Sequence, residues 1–238
     1  MAKLGVNIES VAVLMDRGKI PDADPVTSAL LADLGGADLI VCPLREGFHP
    51  FTEKDIRLLR TLVRLPIELH FYPADALVGF AASVAPDMVT LIPGKPADPS
   101  SEGVKAEGSW NLEDLGKTIR EIRSPDRRVG LLIEPEMPQV KSAASLGADY
   151  VKFNLGRLGE MRGTAERSEF IEGAASVMIA ASKMNLGIAV EGGVDYHNAA
   201  EIASLGKIHH VVAGGAVFAR ALCVGMEQAV RDMAGLVH

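Results

Sequence analysis

Val190-Glu191-Gly192-Gly193-Val194-Asp195, answered further along by Val211-Val212-Ala213-Gly214-Gly215-Ala216-Val217, decides the reading of this chain. Each is an apolar run that ends in two glycines and hands over to a helical pattern. Backbone N–H groups are therefore left bare where a strand gives way to a helix, and glycine lets an anion approach them closely. One such pair is an ordinary turn. Two pairs at the ends of consecutive expected strands, in the last quarter of the chain, are the arrangement by which the final loops of a (β/α)8 barrel hold a phosphate.

The same strand-to-helix unit recurs along the chain. Apolar runs at 4–9, 38–44, 66–71, 88–92, 129–133, 150–154, 187–190 and 210–213 read as strands. Between and after them, helical patterns fall at 24–34, 52–63, 74–84, 112–122, 137–146, 167–184, 196–205 and 217–237. Asp24-Pro25 and Thr52 with Asp55 are N-terminal helix signals, and Asn111 is the expected cap of the fifth helix. Strict alternation of buried strands with amphipathic helices implies a parallel sheet, and eight units close into a TIM barrel more readily than they lie open. The expectation is an α/β fold, one (β/α)8 domain over residues 1–238, with a doubly wound sheet as the alternative. Residues 93–110 and 155–165 lack periodicity, and segments of that length in a compact domain are commonly functional.

Composition narrows the function classes. The chain has 238 residues, 48% hydrophobic and 23% charged, which suits a globular domain with a large core. A formal charge of -7, with no stripe of Lys and Arg, argues against a nucleic-acid surface. Cys42 and Cys223 have no metal-ligand spacing and give no reason to expect a disulfide, and no metal site is expected. No run has the length of a membrane span, and the strand at the N-terminus leaves no room for a signal peptide. A cytoplasmic protein without membrane or nucleic-acid partners is expected.

Barrel chemistry lies at the C-terminal ends of the strands. Those ends offer Asn7 and Glu9, then Cys42, Arg45 and Glu46, then Glu68 and His70, with Lys95, Ser100, Ser101 and Glu102 in the fourth loop. Glu134, Lys152, Asn154, Glu191 and the glycines complete the set. Alternation puts Asn7 with Glu9, Glu68 with His70, and Lys152 with Asn154 on shared faces. Arg45 could fork onto a phosphate or carboxylate, or form a rim ion pair with Glu46 or a neighbour. Lys152, in an otherwise apolar strand, is an electrostatic clamp, a Schiff-base nucleophile, or one half of an ion pair with Glu134 or Glu191. His70 and Glu191 are candidate acid-base groups. His197, His209 and His210 read as structural.

Leu4-Gly5-Val6-Asn7-Ile8, Asp24-Pro25-Val26, Leu44-Arg45-Glu46, Asp55-Ile56-Arg57-Leu58-Leu59-Arg60, Ser101-Glu102-Gly103, Tyr196-His197-Asn198 and Gly214 with Arg220-Ala221 resemble the pyridoxine 5'-phosphate synthase family, in register over essentially the whole chain. The resemblance implies a (β/α)8 barrel with extra helices, a homo-oligomer, that condenses 1-deoxy-D-xylulose 5-phosphate with 3-amino-2-oxopropyl phosphate and needs no cofactor. It implies substrate contacts at Asn7 and Arg45, Ser101 in a closing loop, and a phosphate cradle at Gly193, Gly214 and Gly215. The family's catalytic groups do not carry over. Glu9-Ser10 stands for its Asp-His, Pro43 for a histidine, His70 and Lys152 for glutamates, Glu191-Gly192-Gly193 for Gly-His-Gly, and Gly215 for a histidine. The expected catalytic set is therefore Lys152, Glu191, His70 and Glu9, with Asn154 beside them in substrate binding. The expected activity is a condensation or lyase reaction on phosphorylated carbonyl compounds. Authentic pyridoxine 5'-phosphate synthesis and a non-catalytic phosphate binder are the alternatives.

Overall fold

Eight parallel strands close in sequence order into a barrel: β1 (Lys3–Asn7), β2 (Leu39–Leu44), β3 (Ile67–Phe71), β4 (Met88–Leu91), β5 (Arg128–Ile133), β6 (Tyr150–Asn154), β7 (Gly187–Glu191) and β8 (His210–Ala213). Closure is made by β8 against β1, with Lys3 opposite His210 and Val6 opposite Ala213. The structure, a computed structural model, describes residues 1–20, 22–92 and 112–238. The helices are α1 (Glu9–Gly18), α2 (Pro25–Gly35), α3 (Glu53–Leu62), α4 (Asp75–Val84), α5 (Leu112–Ile122), α6 (Met137–Ser145), α7 (Thr164–Lys183), α8 (Ala199–Ser204), α9 (Gly215–Val224) and α10 (Met226–Val237). The barrel is the expected fold. Among the described residues, no helix is long and apolar enough to cross a membrane.

The strands bury both faces, which is why their sequences are nearly continuous apolar runs. One face packs under the helices in a core that includes Leu4, Val6, Ile40, Leu69, Val89, Val151 and Val211. The other fills the barrel, with Leu39, Val41, Met88, Tyr150, Ala189 and Val212 as an apolar plug. Gly130 makes room for that plug, since a Cβ there would lie 2.3 Å from the Tyr150 ring. The helix starts follow the capping chemistry of the sequence. Asp24 accepts from the N–H groups of Val26 and Thr27, and Thr52 and Asp55 form a reciprocal capping box.

Four departures from the sequence expectation bear on the site. Residues 9–18 form α1, so Glu9 opens a helix instead of ending β1 and does not share a strand face with Asn7. That helix has no capping side chain and buries only Val11 and Ala12, which left little signal. The helix expected at 196–205 shortens to α8, because Asp195 Oδ1 takes the N–H groups of His197 and Asn198 (2.8 and 3.0 Å) in a side-chain-closed turn. The last helix breaks at Gly225, φ 82°, into α9 and α10. A 3-10 turn, Gly156–Gly159, lies in the segment expected to be irregular. The cap at Asn111 and the loop residues Lys95, Ser100, Ser101 and Glu102 lie outside the described residues.

Candidate active site

Above the apolar plug the barrel interior turns polar. Glu68 and His70 from β3, Thr90 from β4 and Lys152 from β6 are all buried, with Lys152 and Glu68 at 0% exposure. Lys152 Nζ donates to Glu68 Oε1 at 2.6 Å, across the barrel between strands that are not neighbours. It also stands 3.4 Å from Glu191 Oε2 at the end of β7. His70 lies between the same two carboxylates, with Nε2 3.7 Å from Glu68 Oε1 and Nδ1 3.6 Å from Glu191 Oε2. Below them a hydroxyl chain anchors Glu68. Thr90 donates to Glu68 Oε1, and its Oγ1 lies 2.7 Å from the Tyr150 hydroxyl.

Electrostatics follow from this packing. Burial raises the Glu68 carboxyl, but the Lys152 ammonium beside it, with help from His70 and the Lys152 and Thr90 hydrogen bonds, brings it below the ordinary carboxylate value. Burial and then the Lys152 charge push His70 down to about 3, so its ring is neutral near pH 7. The Tyr150 phenol is pushed well up, chiefly by burial, and remains a donor. Neither ring nitrogen of His70, nor Glu68 Oε2, has a hydrogen-bond partner among the described residues. Buried polar atoms left this way are costly and are characteristic of functional sites.

The rim adds four groups. Asn7 donates to Glu191 Oε1 at 3.2 Å while its carbonyl oxygen accepts the N–H of Glu9 at 2.9 Å. Arg45, just past β2, pairs with Glu9 at 2.6 Å, so a neighbour at the rim is one of its ion-pair partners. Asn154 donates to Glu134 Oε1 at 2.8 Å and accepts from Gly156 N at 3.0 Å. Burial raises the Glu134 carboxyl, against the Asn154 hydrogen bond that lowers it. Lys152 therefore takes its partners from β3 and β7, and Glu134 is held by Asn154.

The glycine ends differ from one another. Gly192 and Gly193 have φ of 82° and 63°, a region that favours glycine. A Cβ on Gly193 would also lie 2.6 Å from Leu155 O. Asn198 fixes this loop by donating to Gly193 O at 2.7 Å. A Cβ on Gly214 would meet the Asn7 Cβ at 3.1 Å. Gly215 opens α9, and a Cβ there would meet nothing within 4 Å among the described residues. The bare N–H groups at a helix N-terminus can hold an anion.

This constellation at the end of a parallel barrel is assembled from β1, β3, β4, β6 and β7, with Arg45 just past β2 and the start of α9 beside it. The family described as "Pyridoxal phosphate biosynthesis protein PdxJ" matches residues 4–238. The chain belongs to the PdxJ family. Relatives named pyridoxine 5'-phosphate synthase, from Geotalea uraniireducens and Geobacter sulfurreducens, are each 35% identical over 237 residues, covering 100% of this chain and 99% of theirs. Among solved structures, KGPDC from Streptococcus mutans superposes with a TM-score of 0.67 at 11% identity, covering 100% of this chain and 97% of that one. At that identity the likeness speaks to the fold alone.

Within this PdxJ chain the structure brings Asn7, Glu9, Arg45, His70, Lys152 and Glu191 into one linked set through direct contacts. Asn154 belongs to a separate pair with Glu134. His209 Nδ1 accepts from Ile188 N at 3.0 Å, the structural part expected of it. Glu68, on the His70 face, joins the site with Thr90 and Tyr150, none of which is among the residues expected to act there. Glu68 was findable as a charge inside an apolar strand two residues before His70, whereas the hydroxyls look like ordinary strand residues. Among the described residues, no group of three His, Cys, Asp or Glu is arranged to hold a metal ion.

Proposed function

We propose that this PdxJ-family chain is an enzyme that binds phosphorylated carbonyl compounds and makes or breaks a C–C or C–N bond. One observation carries the reading. A buried lysine and a neutral histidine are set between two carboxylates at the barrel's C-terminal end, beside the start of α9. Burying a lysine and a carboxylate without use costs stability, so their retention favours chemistry over a silent scaffold.

In this reading Gly193, Gly214 and Gly215 hold a phosphate through backbone N–H groups and the positive end of α9. Arg45 takes a second anionic group, sharing itself with Glu9. Asn7 orients the substrate carbonyl or hydroxyl, its amide already fixed by Glu191 and by Glu9 N. Glu191, at 15% side-chain exposure, is the carboxylate closer to the mouth and the first proton acceptor from substrate, with His70 and Glu9 as further proton carriers. Lys152 stabilises negative charge developing on a carbonyl oxygen or adds to the carbonyl carbon as a Schiff-base nucleophile. The changes at 9, 10, 43, 70, 152, 191, 192 and 215 from the family pattern support an altered reaction. Ser101 is assigned to substrate contact by resemblance alone.

Authentic pyridoxine 5'-phosphate synthesis is the second reading, favoured by 35% identity to synthases over the full length. Purified protein incubated with 1-deoxy-D-xylulose 5-phosphate and 3-amino-2-oxopropyl phosphate, separately and together, separates the two by mass spectrometry of products. Pyridoxine 5'-phosphate at an enzymatic rate establishes the second reading. Turnover of a phosphorylated aldehyde or ketone without it supports the first, and no turnover of any such compound rejects both. Borohydride reduction during turnover decides the covalent version, which a missing adduct on Lys152 would remove.

A further inference from the structure

Lys152 and His70 address the same two oxygen atoms. Glu68 Oε1 is 2.6 Å from Lys152 Nζ and 3.7 Å from His70 Nε2. Glu191 Oε2 is 3.4 Å from Lys152 Nζ and 3.6 Å from His70 Nδ1. Two carboxylates thus face two bases, and both ring nitrogens of the histidine stand without a hydrogen-bond partner among the described residues. A structural histidine in a core normally commits at least one nitrogen to a hydrogen bond. We propose that His70 and Lys152 form a proton-exchange pair through Glu68 Oε1 and Glu191 Oε2, so that His70 becomes the cation of the cluster whenever Lys152 gives up its charge.

The inference deepens the proposed function and rests on it for its use in catalysis. A buried ammonium that lost its proton to water would leave two carboxylates facing no cation, which is costly in a low-dielectric interior. Transfer within the cluster avoids that cost. The proton leaves Lys152 Nζ, passes over a shared carboxylate oxygen and ends on a ring nitrogen of His70, and the total charge is unchanged. The Nζ lone pair can then add to a substrate carbonyl carbon, forming the C–N bond as the C–O π bond breaks. When the resulting carbinolamine loses water, the proton held on His70 leaves with the oxygen, and the iminium carries the charge that Lys152 had. Atoms and charges balance over the cycle without another reactant.

The groups around His70 favour this exchange. On its own strand it faces Glu68, from β6 Lys152, and from β7 Glu191. Tyr150 of β6 and Thr90 of β4 hold Glu68 from beneath. His210 at the start of β8 is held neutral by burial, being pushed down to about 4, and does not compete for the proton near pH 7. In the resting cluster it is mainly burial and the Lys152 charge that keep His70 unprotonated.

The test reads the charge on His70 and needs no substrate. The full chain is labelled in its histidine rings, and the resonance missing in His70→Asn assigns His70. Titration by NMR then compares wild type, Lys152→Arg, Lys152→Met and the double variant Glu68→Gln/Lys152→Met. Removing the lysine charge should raise the His70 midpoint by at least about two pH units, because one cation no longer opposes another beside two carboxylates. Lys152→Arg, which keeps a cation, should leave His70 neutral as in wild type. The double variant should fall between wild type and Lys152→Met and keeps the test available if the single variant does not fold. A His70 midpoint unchanged by loss of the lysine charge in the folded protein overturns the proposal. That failure would leave the proposed reaction class standing, whereas a shifted midpoint in a protein that turns over no phosphorylated carbonyl compound would reject the reaction class alone.

Discussion

Lys152 and Glu68 are the two residues on which the polar interior depends, since each is fully buried and Lys152 Nζ lies 2.6 Å from Glu68 Oε1. Lys152→Met leaves Glu68 without that partner and should destabilise the fold by about 3–5 kcal/mol, read from denaturant unfolding, less whatever a proton on His70 restores. Thr90→Val removes the donor to Glu68 and orphans the Tyr150 hydroxyl, and should cost about 1–3 kcal/mol in the same measurement. Acid should act in a defined window. His70 is held at about 3 and His210 at about 4, both below the ordinary histidine value of 6.5, so the unfolded chain binds more protons than the folded one between those limits. Stability therefore falls as pH drops below 6.5, by about 1.4 kcal/mol per pH unit for each histidine titrating only in the unfolded state. Glu68, lowered in the fold, adds a loss in the same direction as pH falls through its folded value. A thermal midpoint flat from pH 7 to pH 4 would contradict this account. Charges of this kind were legible in the sequence as ionisable residues inside apolar strands. Their partners were not, because Lys152 meets Glu68 across the barrel, 84 positions away in the chain.

The proposed anion site is built from element ends, and its glycines separate into two kinds. Gly193→Ala meets Leu155 O and a left-handed backbone, so it should lower stability and phosphate binding together. Gly215→Ala has open space, so its thermal midpoint should stay close to that of wild type. If a phosphate sits before α9, the added methyl enters the ligand's volume, and binding of a phosphorylated ligand, measured by calorimetry, should weaken at least about tenfold. Equal binding by wild type and Gly215→Ala would move the cradle elsewhere. Most elements were readable because their caps and periods are local: Asp24-Pro25 and the Thr52 and Asp55 box start helices where the sequence says they do. Helix α1 was not, lacking a capping side chain, and its presence moves Glu9 off the strand and onto Arg45. Asp195 trimmed α8 for the complementary reason, since its carboxylate captures N–H groups that the helix pattern had claimed.

At the scale of the whole molecule, the alternation of buried strands and amphipathic helices was enough to specify a closed barrel and to direct attention to its C-terminal end. Which ionisable groups there meet one another depends on barrel closure, a long-range property that neither composition nor period contains. The proposal for this PdxJ-family barrel is phosphate binding combined with chemistry by Lys152, Glu191 and His70. It is tested most directly by following the consumption of 1-deoxy-D-xylulose 5-phosphate and of other phosphorylated aldehydes and ketones, with and without an amine co-substrate, by wild type and by Glu191→Gln of equal stability. Wild type should turn over such a compound at a rate that falls by about 100-fold or more in Glu191→Gln, the range associated with loss of a general acid-base group. Phosphorylated ligands that bind but are never consumed, or a rate that Glu191→Gln leaves unchanged, would contradict it.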